Sequence, residues 1–172
     1  EALAAGVNFF DVAPRYGDGR AERNVGRGLD GQRERALVAS KVFLSLEQLD
    51  DIPGAIERSL AQSLRDLGAD YLDLYQLHNQ VTMARRAKAL SLEDVLGPRG
   101  VVETLQRIRE EGTVRFIGCT GVGEAEAVRH VILEGGLDTV QAYYNLLNRS
   151  AADPLPPQSG LHDHGQIMPL AA

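Results

Sequence analysis

The sequence predicts an α/β fold whose parallel strands form a barrel, and three observations carry that prediction. Short apolar runs alternate with helix-forming segments: VNFFDVA (7–13), ALVASKV (36–42), LDLYQLH (72–78), VRFIGCT (114–120) and TVQAYYN (139–145). Such alternation gives a parallel sheet with right-handed crossovers. Asp11, Lys41 and His78 stand near the ends of the first three runs, at steps of 30 and 37 residues, and Tyr16 follows in the loop after the first. That step is one strand, one helix and two loops, so an acid, a phenol, an amine and an imidazole arrive at one rim, where barrel chemistry sits. The competing doubly wound sheet wants a G-x-G-x-x-G turn after its first strand, and Gly17-Asp18-Gly19 lacks the third glycine at the required offset.

The elements follow in order. The first run is a buried strand, then a glycine-rich loop, then a helix from about Ala21 to Leu29. Gly26 and Gly28 fall inside that helix and are read as close-packing positions. After the strand at 36–42, a helix runs from about Pro53 to Leu67, with Ile56, Leu60, Leu64 and Leu67 on one face. Proline suits its first turn and Gly68 stops it. The strand at 72–78 is followed by a charged, Ala-rich loop to about Gly100. Val101, Val102, Leu105 and Ile108 mark a helix ending near Gly112. A strand at 114–120, a helix from Glu124 to about Glu134 and a strand at 139–145 complete the regular part. The polar, three-proline stretch from Arg149 to about Gly165 reads as loop.

Composition narrows the function classes. The chain has 172 residues, enough for one sizeable core and a single domain, with 44% hydrophobic and 24% charged residues. A net charge of −6 argues against nucleic acid or an anionic membrane as the main partner. The lone Cys119 excludes an internal disulfide and fits a reducing, cytoplasmic setting. No apolar run reaches the ~18 residues of a membrane span. The chain opens on EALAAG, which reads as the last turn of a helix, and stops on the apolar run IMPLAA. Both ends are expected to continue into something longer.

Each rim residue also has a plainer use. Asp11 can cap a turn, Tyr16 can pack on the surface, Lys41 can reach water and His78 can be a hydrogen-bonded structural histidine. Their joint spacing favours chemistry. His162-Asp163-His164 has a metal-like pattern but no second ligand cluster, so no metal is expected. Asn79 is a further candidate to line a pocket beside His78.

The stretch GVNFFDVAPRYGDGRAERNVGRGL (6–29) resembles the aldo-keto reductase signature, in which a strand ending in Asp is followed five residues later by Tyr. The resemblance continues through VASK (38–41), LDLYQLH, GTVRFIGCTG (112–121) and VQAYYNLL (140–147), in order and in register. It implies a (β/α)8 TIM barrel, incomplete here, from about strand 2 to strand 6 or 7 of eight, with the PLAA end as the seventh strand and a shortened segment near 150–166.

The resemblance further implies hydride transfer between NADP(H), with NAD possible, and a small aldehyde, ketone or sugar. Tyr16 would be the general acid, with Lys41 as the ammonium that favours its phenolate, Asp11 holding Lys41, and His78 at the carbonyl. Such proton assistance is commonly worth about 10²–10⁴-fold in rate. On the cofactor side, Gln141 matches a carboxamide-binding glutamine, and Thr120 keeps a hydroxyl where the family has serine. Gly121 stands where the family has asparagine. Two other readings remain: a non-catalytic nicotinamide-binding regulatory subunit on the same fold, and a Schiff-base barrel lyase using Lys41 as nucleophile.

Overall fold

The computed structural model describes residues 1–156 and 158–172. Among them, five parallel strands make one sheet: β1 (Phe9–Asp11), β2 (Leu37–Val42), β3 (Leu72–Leu77), β6 (Val114–Thr120) and β7 (Thr139–Gln141), in the spatial order β1-β2-β3-β6-β7. Spatial order follows chain order throughout. A doubly wound sheet reverses at a switch point, whereas a barrel arc does not. This is an arc of a parallel barrel, in keeping with the incomplete (β/α)8 barrel that the resemblance implies.

The register divides the sheet into two chemically different faces. Phe9 pairs with Leu37, Asp11 with Ala39, Ala39 with Leu74 and Leu74 with Phe116. Alternation puts these residues on one face, together with Lys41, Gln76, Gly118, Thr120 and Gln141. Val38, Val42, Tyr75, Leu77, Ile117 and Cys119 lie on the other face, fully buried beneath the helices. That second face is the core. On the first face apolar side chains occupy the N-terminal half of the strands, while Asp11, Lys41, Thr120 and Gln141 occupy the C-terminal ends.

The crossover helices are α1 (Arg20–Gly28), α2 (Ile52–Leu67), α4 (Val101–Glu110) and α5 (Ala125–Glu134). In α2 the Asp51 carboxylate accepts from Gly54 N at 3.1 Å, Pro53 occupies the first turn, and Gly68 at φ 62° ends the helix. Its buried side chains include Ile56, Leu60 and Leu67. Helix α1 packs against the end of α2 at Gly26, where a Cβ would stand 2.3 Å from the Leu67 carbonyl oxygen. The packing role read for the G-x-G pair therefore holds at Gly26. At Gly28 nothing among the described residues lies within 4 Å of that position.

Two stretches differ from the sequence reading. The charged segment after β3 contains a short parallel pair, β4 (Gln80–Thr82) with β5 (Ala89–Ser91), and a helix α3 (Leu92–Leu96). Three-residue strands are too short to show alternation. The helix start is nevertheless specified by a capping box: Ser91 Oγ accepts from Asp94 N at 3.1 Å, and Asp94 Oδ2 accepts from Ser91 N at 2.9 Å. The terminal run read as a seventh strand is instead a four-residue helix, α6 (Ile167–Leu170), outside the sheet. Its Ile167 is fully buried, and the helix packs chiefly against α5. The strand expected over 139–145 ends at Gln141. Of the three prolines in the 149–165 loop, Pro157 lies outside the described residues. No helix among the described residues is long and apolar enough to cross a membrane.

Candidate active site

The residues singled out at the strand ends converge. Lys41 ends fully buried, its ammonium 2.5 Å from Asp11 Oδ1 and 3.1 Å from the Val12 carbonyl oxygen. An ammonium can be taken out of water only if it is paired and hydrogen-bonded, and these two acceptors do both. Nζ also lies 5.0 Å from the centroid of the Tyr16 ring, within cation–π range. His78 meets the same ring edge-on, with centroids 5.8 Å apart and planes at 85°. The four predicted residues thus form one continuous contact chain, Asp11–Lys41–Tyr16–His78. The Tyr16 hydroxyl has no hydrogen-bond partner among the described residues, and the side chain is 42% exposed.

His78 is held in a particular charge state. Burial, then the Lys41 ammonium and the Arg15 guanidinium, push its pKa below the usual histidine value, against a smaller opposing pull from Asp11. It is therefore a neutral imidazole at neutral pH, able both to donate and to accept.

Beside this chain lies a cavity of about 490 Å³, lined by Tyr16, His78, Thr120 and Gln141 among others. Thr120, buried at the end of β6, donates its hydroxyl to the Leu77 carbonyl oxygen at 3.2 Å and keeps its own lone pairs. Gln141, at the end of β7, donates Nε2 to Asp11 Oδ2 at 3.0 Å. Both predicted cofactor residues thus face the same space as the proton-handling set. A side chain at Gly121 would meet Ile167 Cδ1 at 2.5 Å from its Cβ, so the room an asparagine would need there is taken by α6.

Several lining residues have no sequence signal of their own. Arg15 adjoins Tyr16 in the rim loop, and its guanidinium lies 4.0 Å over the Phe43 ring. Lys88 and Tyr143 reach the cavity from loops whose course no periodicity foretells. Asn79, by contrast, turns away: its amide is clipped to the backbone of Leu44, accepting from N at 2.8 Å and donating to O at 2.9 Å. Cys119 is sealed in the core, where burial pushes its thiol up to about 12. The rings of His162 and His164 meet edge to face, 4.8 Å between centroids, and among the described residues no group of three His, Cys, Asp or Glu side chains could hold a metal.

A second cavity, of about 500 Å³, opens between the C-terminal ends of α1 and α2. It lies at the opposite end of the strands from the contact chain. Two of its arginines are already paired, Arg23 with Asp66 at 3.3 Å and Arg33 with Asp73 at 2.7 Å. The strand C-termini are where parallel barrels do chemistry, so the smaller cavity is the candidate site.

Known proteins agree with this architecture. The model of the family described as "Aldo/keto reductase family" matches residues 1–158. An NADH-specific methylglyoxal reductase of Escherichia coli (strain K12) is 31% identical over 173 residues, covering 91% of this chain and 50% of that protein. An L-galactose dehydrogenase of Arabidopsis thaliana is 32% identical over 71% of this chain and 36% of its own length. Among solved structures, the holo form of an aldo-keto reductase from Bacillus halodurans superposes with a TM-score of 0.70 at 26% identity, covering 87% of this chain and 48% of that one. An aldo/keto reductase from Klebsiella pneumoniae in complex with NADP and acetate gives 0.66 at 28% identity, covering 90% and 49%. The chain spans about half the length of the curated relative from Escherichia coli.

Proposed function

The chain belongs to the aldo/keto reductase family, and from that premise we propose that the protein carrying it reduces small carbonyl compounds with a nicotinamide cofactor, Tyr16 acting as proton donor. The observation that carries this reading is the buried Lys41 ammonium, fixed by Asp11 at 2.5 Å and set against the Tyr16 ring. A cation so placed stabilises the negative charge that develops on the phenol oxygen as its proton passes to the substrate.

The residues present fit a nicotinamide. Gln141 offers an amide and Thr120 a free hydroxyl lone pair at the edge of the same cavity as Tyr16 and His78, and a carboxamide is met by a donor and an acceptor together. Relatives in the family supply both cofactor types in their names, NADH for the Escherichia coli protein and NADP for the Klebsiella pneumoniae structure. When bound, the cofactor supplies the hydride that adds to the carbonyl carbon.

The roles of the side chains follow from their chemistry. His78, neutral, donates one N–H toward the carbonyl oxygen and positions it. Tyr16 O–H protonates that oxygen as negative charge develops on it, and Lys41 stabilises the phenolate left behind. Asp11 keeps the ammonium in place and does not itself lose or gain the proton. A Schiff-base role for Lys41 is disfavoured, because a buried, ion-paired ammonium is no nucleophile. A purely regulatory role is disfavoured by the complete proton-handling set.

Replacing Tyr16 by Phe tests the reading. NAD(P)H oxidation should fall at least ~100-fold with an aldehyde substrate, while cofactor affinity by fluorescence titration is retained. A Phe variant with unchanged kcat would remove Tyr16 from the chemistry.

A further inference from the structure

Two cations face the candidate site without a part in the reduction just described. Arg15 and Lys88 both line the cavity shared by Tyr16 and His78, and none of the side chains lining it is a carboxylate. The nearby Asp11 is already occupied, one oxygen by Lys41 and the other by Gln141. The local balance at this mouth is therefore positive, in a chain with 24 acidic residues against 18 basic ones.

Neighbouring cations are treated differently. On the loop that carries Lys88, Arg85 is paired with Asp94 and Arg86 with Glu124. In the segment after Arg15, Arg20 donates to the Gly17 carbonyl and Arg23 to Asp66. Among the described residues, Arg15 and Lys88 enter neither an ion pair nor a hydrogen bond. Surface acids are in excess, so two unpaired cations at one cavity are not a default outcome.

The Arg15 side chain and the Lys88 backbone are also held in place. The Arg15 guanidinium stacks 4.0 Å over the Phe43 ring, which fixes its plane and leaves its N–H edge free. Lys88 sits in a tight turn closed by reciprocal bonds between Arg86 and Ala89, with φ at 66°. A non-glycine residue there is strained. Strain of this kind collects where a side chain is used.

We infer that the carbonyl substrate carries an oxyanion group, a carboxylate or phosphate, which docks between Arg15 and Lys88 while the carbonyl lies at Tyr16 and His78. The inference rests on the carbonyl-reduction reading for the identity of the rest of the ligand. A guanidinium edge and an ammonium select an oxyanion through charge-assisted hydrogen bonds, and a neutral ester of the same shape would leave both unsatisfied.

Calorimetric binding to the full chain, with and without saturating NADP⁺, tests this with a matched pair, 4-formylbenzoate and its methyl ester. A second pair, glyceraldehyde 3-phosphate and glyceraldehyde, separates phosphate from carboxylate. The acid should bind roughly tenfold or more tightly than the ester at low salt, and the advantage should shrink as ionic strength rises. The double variant Arg15→Gln, Lys88→Gln should bring acid and ester together. Equal affinities in the unaltered protein, or a preference that survives the double substitution, overturn the inference. Displacement of the acid by NADP⁺ also overturns it, because the cations would then serve the cofactor. Absent turnover with the binding preference intact counts against the reductase reading alone, and turnover without the preference counts against the oxyanion site alone.

Discussion

Gln141 Nε2 donates to Asp11 Oδ2 at 3.0 Å, joining the last strand of the sheet to the first across the mouth of the arc. The sheet is curled enough for its two edge strands to touch through side chains. The Asp11 carboxylate is thereby divided, Oδ1 to the buried ammonium of Lys41 and Oδ2 to a neutral amide. The Gln141 amide keeps its second N–H and its oxygen for a ligand, so both its bond to Asp11 and the Asp11–Lys41 ion pair can stay intact when one binds.

That division sets an order of severity. Asp11→Asn leaves an ammonium buried without its counter-ion, which costs on the order of 3 kcal/mol. Gln141→Ala loses one partly exposed bond, worth about 1 kcal/mol. Denaturant unfolding should show Asp11→Asn as clearly the more damaging. Restoring stability by adding Lys41→Met to Asp11→Asn would identify the unpaired charge as the cause. Equal losses in the two single variants would mean that the ammonium does not depend on Asp11.

His78 gives a pH-dependent signature. Burial and the cations Lys41 and Arg15 hold its folded pKa below the unfolded value near 6.5. Between those two values the unfolded chain binds more protons than the folded one, so stability falls as pH drops through that window and levels off below the folded pKa. An NMR titration of the His78 ring should show a midpoint below 6.5, moving upward in Arg15→Gln. A midpoint at or above 6.5 would mean that the imidazole is protonated more readily than its surroundings allow.

Glu22 is a second titrating point, on the helix-covered face of the sheet. It lies fully buried on α1, with Oε1 accepting from Ser40 Oγ at 2.7 Å and Oε2 without a partner among the described residues. Burial raises its pKa, more than the Ser40 bond lowers it. A carboxyl that keeps its proton in the fold contributes stability that is lost as pH rises through the folded value. Glu22→Gln should therefore flatten the decline of stability above the unfolded pKa of 4.5. A Gln variant with the same pH profile would exclude Glu22 as its source.

The strand ends were readable because a barrel repeats its unit. Asp11, Lys41 and His78 recur at one strand–helix step, and the fold turns that spacing into adjacency. The partners of those residues were less readable. That Gln141 would reach Asp11 depends on the curl of the sheet over 130 residues of separation, which no local pattern encodes. Arg15 and Lys88 were missed for a different reason. Exposed cations in loops are common, and only the placement of neighbouring acids distinguishes the unpaired ones. The apolar IMPL run misled because four residues serve a buried strand or a buried helix turn equally well, and packing against α5 decided between them.

The G-x-G pair in α1 offers the sharpest test of a reading made from residues alone, because the two glycines stand two positions apart in one helix. A Cβ at Gly26 would be 2.3 Å from the Leu67 carbonyl oxygen and 2.9 Å from its Cα. Backbone cannot yield as a side-chain tip does, so Gly26→Ala must move α1 away from α2. The expected loss is about 1–3 kcal/mol. Gly28 meets nothing among the described residues within 4 Å and has no positive φ. There alanine only removes unfolded-chain entropy and improves helix propensity, for a gain of about 0.5–1 kcal/mol. Thermal or denaturant unfolding of the two single variants should show opposite signs. A destabilised Gly28→Ala, or a neutral Gly26→Ala, would mean that α1 and α2 do not meet where Gly26 lets them.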